Sequence, residues 1–251
     1  MRTGTGGGRH FPCRRARNPR TAAPPHEPTN GRSFRGFPGD AGLFPAQPVT
    51  APADRQPLRA ALRARRAALS AAERIAASQG LVEQLEGIPE FLTDRRIAGY
   101  WAVDGELPLA AVMAGVRERG QSWFLPVLGP ERQLRFGPWH ARDAIRPNRY
   151  GIPEPVCPDE ALLMPAEIDV VLLPLLGFDR TGERLGFGGG WYDRSFAFTR
   201  GRAAGERPLL VGIGYAVQEV PLIEPQPWDV RLDYIATERE LIDLTGDPEA
   251  A

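Results

Sequence analysis

Apolar residues in this chain change their spacing from segment to segment, and the spacing predicts which element each segment forms. Leu58, Leu62 and Leu69 recur at helical intervals behind Pro57, which suits a first helical turn. Ser70 followed by Glu73 has the form of a capping box, so the pattern predicts two helices, about 57 to 69 and 71 to 86. "RRIAGYWAV" (95 to 103) and "SWFLPVL" (122 to 128) read as strands around a helix at 108 to 120 that ends on a glycine, with a weaker strand at "QLRFGPW". Residues 137 to 165 are proline-rich and read as loop. "IDVVLLPLLGF" (168 to 178) and "RPLLVGIGYA" (207 to 216) are almost continuously apolar, as strands covered on both faces are. "WYDRSFAFTRG" reads as a helix starting at the last glycine of a glycine run, "RLDYIATE" (231 to 238) as a last strand and "TERELIDL" as a closing helix. Strands separated by helices predict an α/β fold, three-layer α/β/α with a mostly parallel, Rossmann-like sheet, as one domain over residues 54 to 251.

Residues 1 to 53 carry no such pattern. The first fifty hold eight arginines against Glu27 and Asp40, with abundant Gly and Pro, a composition with too little apolar surface to order itself. They read as a disordered tail or as the product of a start codon chosen too early, with a start near Val49 removing them. A basic tail that touches RNA and an organelle transit segment are the remaining readings. "MRTGTGGGRHFPCRRARNPR" has no apolar run behind its arginines and does not read as a secretory signal.

The whole chain has 251 residues and no net charge, which gives no general electrostatic argument for a nucleic-acid or membrane partner. Cys13 and Cys157 form no framework, which fits a reducing, cytoplasmic setting, and the three histidines are scattered, which argues against zinc. All 31 basic residues are arginine, so Schiff-base chemistry and a lysine-bearing phosphate loop are both excluded.

The candidate chemistry sits in "FDRTGERLGFGGGWYDRSF", residues 178 to 196, between a buried strand and a helix. Loops at the carboxyl ends of parallel strands are where open α/β sheets bind ligands, and a helix N-terminus there favours anions. A dinucleotide fingerprint fails because Trp191 stands where its third glycine belongs. A solvent-exposed flexible loop is the plain alternative, but it leaves Arg184, Tyr192, Asp193 and Arg194 around the glycines unexplained. Arg184 can fork onto phosphate oxygens, the glycine amides can wrap a polyphosphate, and Asp193 can hold a magnesium ion.

"LLPLLGFDRTGERLGFGGGWYDRSFA" resembles the signature of the 5-formyltetrahydrofolate cyclo-ligase family, also called 5,10-methenyltetrahydrofolate synthetase. The resemblance extends to the arginine-rich first helix, "YWAVDGELPL", "YGIPEP" and "WDVRLDYIATE", about residues 54 to 240. It implies ATP- and magnesium-dependent closure of 5-formyltetrahydrofolate, with or without a polyglutamate tail, to 5,10-methenyltetrahydrofolate, by a monomeric enzyme through a phosphorylated formyl group. The family's ATP loop falls on Arg184, Leu185, Gly186, Phe187, Gly188, Gly189, Gly190, Trp191 and Tyr192, with Arg184 and Tyr192 as catalytic candidates. Its N-terminal ATP contacts fall on Arg55 and Arg59, one helical turn apart, which read alone also suit a solvated basic helix face. Arg55 stands where the family has lysine, and the two are not equivalent phosphate ligands. The metal ligands fall on Asp193 and Asp229, with Asp233 structural or behind them. The folate side falls on Trp101, Glu106, Phe187, Trp191 and Tyr192. Glu106 read alone serves as well as a helix N-terminal charge, and aromatic residues beside strands are more often core. Glu154 is expected to fix its loop. The alternatives are a divergent relative that keeps ATP and takes another substrate, and a nucleic-acid-binding protein acting through its arginine-rich tail.

Overall fold

A computed structural model of the protein describes residues 54–246. The expectations for residues 1 to 53 lie outside the described residues. In chain order the elements are α1 (Gln56–Ala67), α2 (Ala71–Leu85), α3 (Pro89–Thr93), β1 (Arg96–Ala98), α4 (Ala110–Glu118), β2 (Ser122–Leu128) and β3 (Leu134–Pro138). They continue with β4 (Ile145–Pro147), β5 (Pro153–Pro155), β6 (Val170–Pro174), β7 (Gly177–Phe178), β8 (Arg184–Leu185), α5 (Trp191–Ser195), β9 (Leu209–Ile213), β10 (Tyr234–Ala236) and β11 (Leu241–Asp243).

The Ser70 hydroxyl accepts from the Glu73 amide at 3.2 Å while the Glu73 carboxylate accepts from the Ser70 amide at 2.7 Å, so the capping box starts α2. The seven-stranded sheet has the order β11-β10-β9-β6-β1-β2-β3. Its five inner strands run parallel, and β3 and β11 pair antiparallel at the two edges. Along β6, Val170 and Leu172 face the core under α2 and α4, whereas Val171 and Leu173 face a second core. Both faces of that strand are covered, which is why its sequence is continuously apolar. The second core is closed by Phe196, just after α5, by Val230 and Leu232 before β10 and by Leu244 after β11. Among the described residues no helix is long and apolar enough to cross a membrane.

Several predicted elements are shorter than expected, and one is of another type. The strand expected at 95 to 103 ends at Ala98, because the Tyr100 hydroxyl donates to the Leu107 carbonyl at 2.8 Å and closes the following segment into a loop. The run at 168 to 178 divides at Pro174, and Gly177–Phe178 pairs with Arg184–Leu185 in a separate small sheet. The helix expected after the glycine run is only five residues, since the Ser195 hydroxyl donates back to the Trp191 carbonyl at 2.7 Å and accepts from the Leu134 amide at 2.7 Å. A helix that short adds up few peptide dipoles, so its terminus contributes less to anion binding than the sequence led one to expect. The proline-rich stretch expected to be loop contains the β4–β5 hairpin. The expected closing helix is β11: the Thr237 hydroxyl accepts from the amides of Arg239 and Glu240, each at 3.1 Å, and turns the chain back so that Ile242 pairs with Ile235.

From β1 the chain proceeds to β2 on one side, and from β6 it proceeds to β9 and β10 on the other. The boundary between β1 and β6 is therefore the point where connections diverge. Loops leaving the carboxyl ends of these two strands enclose a crevice, the usual ligand position in such sheets.

Candidate active site

Two cavities open at that crevice. The first, about 330 Å³, is lined by Arg55, Arg59, Arg184, Asp193 and Asp229, together with Gly186 and Gly188–Gly190. The second, about 310 Å³, is lined by Tyr100, Trp101, Glu106, Phe187, Trp191 and Tyr192, among others. Gly189 belongs to both, so the glycine run is a shared wall with one cavity on each side.

The turn leading to this wall is tied down by Asp179, which is fully buried. One carboxylate oxygen accepts from the Thr181 and Glu183 amides at 2.9 and 3.1 Å, and the other accepts from the Ile223 amide at 2.7 Å. Asp179→Ala leaves all three N–H groups without their acceptor, at about 1–3 kcal/mol for each one that stays unmet. Urea unfolding is expected to show a loss of about 3 kcal/mol or more, and a loss below about 1 kcal/mol would show that the turn holds without this carboxylate.

Positive backbone φ falls on Gly188 (98°) and Gly190 (65°), where a side chain is strained. Gly189 is constrained by contact: a Cβ there would lie 2.8 Å from the Trp191 ring.

In the first cavity every arginine is held. Arg55 pairs with Asp229 at 3.1 Å, and Arg59 donates to the Gly186 carbonyl at 3.0 Å. Arg184, buried, forms an ion pair with Asp193. The Val230 amide lies 3.4 Å from the same Asp193 oxygen, which sets Asp193 in one corner with the segment that bears Asp229. Arg59 is held below the usual guanidinium range by partial burial and by the neighbouring charges of Arg55 and Arg63, so an anion here would relieve cation crowding. Among the described residues there is no group of three or more His, Cys, Asp or Glu placed to hold a metal. Two carboxylates facing one cavity fit a magnesium ion that takes its other ligands from phosphate oxygens and water.

In the second cavity Glu106 is buried and accepts from the Val103 amide at 3.0 Å. Burial pushes its carboxyl up to about 7, against the opposing pull of that N–H and of the Arg66 charge. Arg66 is itself buried and lies 5.2 Å from the Phe187 ring centre. Burial, and then the Glu106 charge, raise the Tyr192 hydroxyl. Trp101 packs edge-on against Trp139 at 5.7 Å and Trp191 edge-on against Tyr150 at 6.4 Å, with the Arg149 guanidinium 5.4 Å from the Trp191 ring centre.

Of the residues singled out in the sequence, Leu185 packs in the core with Leu62 and Leu176, and its side chain reaches neither cavity. Asp233 accepts from the amides of Leu210 and Gly205 and pairs with Arg202, apart from both cavities. Glu154 accepts from the Leu128 amide and the Asn148 side chain, each at 2.9 Å, and so fixes its loop. Arg200 and Trp228 on the first cavity and Arg63, Asn148 and Tyr150 on the second were not singled out. Arg63 follows Arg59 by one helical turn, a signal the spacing did contain.

The sequence profile of the 5-formyltetrahydrofolate cyclo-ligase family matches residues 51–238. The 5-formyltetrahydrofolate cyclo-ligase of Haemophilus influenzae is 31% identical over 180 residues, covering 71% of this chain and 94% of the relative. That of Escherichia coli K12 is 29% identical over 178 residues, with coverages of 70% and 96%. The NMR structure of Aquifex aeolicus 5,10-methenyltetrahydrofolate synthetase is similar with a TM-score of 0.65 at 27% identity, covering 77% of this chain and 94% of that one.

Proposed function

The chain belongs to the 5-formyltetrahydrofolate cyclo-ligase family, and from that premise we propose that it converts 5-formyltetrahydrofolate and ATP to 5,10-methenyltetrahydrofolate, ADP and phosphate with magnesium. The observation that carries the details is the shared glycine wall: Gly189 borders both an arginine-lined cavity and an aromatic one, so a polyphosphate in the first can meet a flat folate in the second.

The N5 formyl oxygen attacks the γ-phosphorus, the bond to the β-phosphate oxygen breaks, and ADP leaves. N10 then adds to the activated formyl carbon and gives up its proton. Phosphate departs with the electron pair of the C–O bond, which leaves the methenyl cation. Phosphoryl transfer of this kind depends on positioning and on charge neutralisation. Arg55, Arg59 and Arg184 supply positive charge, and the Gly186–Gly190 backbone lets the phosphates approach closely. Magnesium bound through Asp193 and Asp229 would neutralise polyphosphate charge. Trp101, Phe187 and Trp191 enclose the pterin, Glu106 accepts from its amide-like edge, and Tyr192 closes the space beside the formyl group.

The test is spectrophotometric: methenyltetrahydrofolate should form from 5-formyltetrahydrofolate only when ATP and magnesium are both present. Absence of product from folded protein that still binds ATP would overturn the substrate assignment and point to a relative with the same nucleotide cavity.

A further inference from the structure

The arginine-lined cavity has one wall unlike the rest. Its lining is charged side chains and glycine backbone, apart from the indole of Trp228. Trp228 remains 54% exposed, although its backbone is firmly set. Its carbonyl accepts from Arg200 at 2.6 Å, and the Asp229 amide donates to the Gln226 carbonyl at 2.9 Å. The Asp229 carboxylate accepts from the Gln226 amide at 3.0 Å and pairs with Arg55, which completes the turn. Large aromatic side chains contribute most when their faces are covered, and nothing in this turn requires one at this position.

A cavity with cationic side chains, glycine backbone and one half-exposed aromatic side chain matches a ligand with a polyanionic end and a flat, apolar ring. We propose that Trp228 is the base platform of this cavity, stacking on the purine of a bound nucleoside triphosphate. This rests on reading the cavity as the nucleotide site. Stacking covers the face of a base and leaves its edges unread, because every base has a π-face. The platform therefore accepts adenine and guanine alike and favours purines over pyrimidines by their larger ring area.

Equilibrium binding by calorimetry without folate separates this inference from the reading beneath it. The probes are ATP, GTP, CTP and inorganic tripolyphosphate, all with magnesium, and the proteins are the full chain, Trp228→Ala and Trp228→Phe. Trp228 is exposed at the surface, so both variants are expected to fold. In Trp228→Ala the Kd for ATP and GTP should rise about tenfold, within the range that base-on-aromatic stacking contributes, with tripolyphosphate binding unchanged. Trp228→Phe should recover most of the loss. Unchanged ATP affinity in Trp228→Ala would overturn the platform, as would an equal loss for ATP and tripolyphosphate, which would mean that Trp228 only shapes the Arg55–Asp229 corner. If neither ATP nor tripolyphosphate binds the unaltered chain, the nucleotide reading of the cavity fails, and the platform falls with it.

Discussion

Asp193→Asn is expected to lower kcat about a thousandfold, as loss of a preorganised charge at a reacting centre does. The substitution keeps the side chain's shape and removes its charge. That charge pairs with Arg184, lies against the Val230 amide and faces the cavity beside Asp229. Arg184 is buried, so the variant also leaves an uncompensated guanidinium. The stability loss should be on the order of 3 kcal/mol, the low end for breaking a buried pair. Single-turnover kinetics and urea unfolding measure the two effects separately. Full turnover in the variant would remove Asp193 from phosphate and metal handling. A loss of activity explained wholly by unfolding would leave it a structural role only.

Glu106→Gln should act on activity and stability in opposite directions. The Glu106 carboxyl titrates at about 7 in the folded chain against an ordinary 4.5, so the native state holds this proton more tightly than the unfolded one. Its contribution to stability is then complete below about pH 4.5, declines as pH rises and is lost by about pH 7. Above that, the unaltered chain bears the cost of a buried carboxylate, up to about 3 kcal/mol. The neutral amide of the variant has no such cost: the variant should melt several degrees higher than the unaltered chain at about pH 8, and the advantage should shrink towards about pH 4. If the carboxylate is the form that receives the substrate, kcat/KM of the unaltered enzyme rises through about pH 7, and the variant loses both that limb and about a hundredfold in rate. Parallel melting curves across this pH range would show that the Glu106 carboxyl titrates in the folded chain as it does in the unfolded one.

The apolar runs at Val170–Pro174 and Leu209–Ile213 were readable as strands because a parallel sheet covered on both faces requires unbroken apolar sequence. The capping box at Ser70 was readable because both partners lie within one turn. "TERELIDL" was misread because its few apolar residues suit a helix or a strand, and the deciding contact, Ile242 against Ile235, depends on a turn set by the Thr237 hydroxyl. The length of α5 was hidden for a similar reason, since Ser195 ends it through a bond to Leu134, a residue distant in sequence. At the site, the glycines and Arg184 stood out by composition. Trp101, Glu106 and Asp229 came from family resemblance, because nothing in their local spacing brings them to the cavities. Trp228 opens the quoted "WDVRLDYIATE" segment, but nothing in its local spacing or in that of Arg200 brings either to the cavity.

Arg55 and Asp229 meet across 174 positions of sequence, the first at the start of α1 and the second shortly before β10. The cavity they complete therefore cannot exist on a growing chain until nearly the whole domain has left the ribosome. It is also lost as soon as either end of the domain lets go. A ligand held there binds only the chain with both ends docked, and so stabilises that state increasingly as its own concentration rises. In the cell such a ligand would work as a clasp on the finished fold, with slower hydrogen exchange at α1 as its trace.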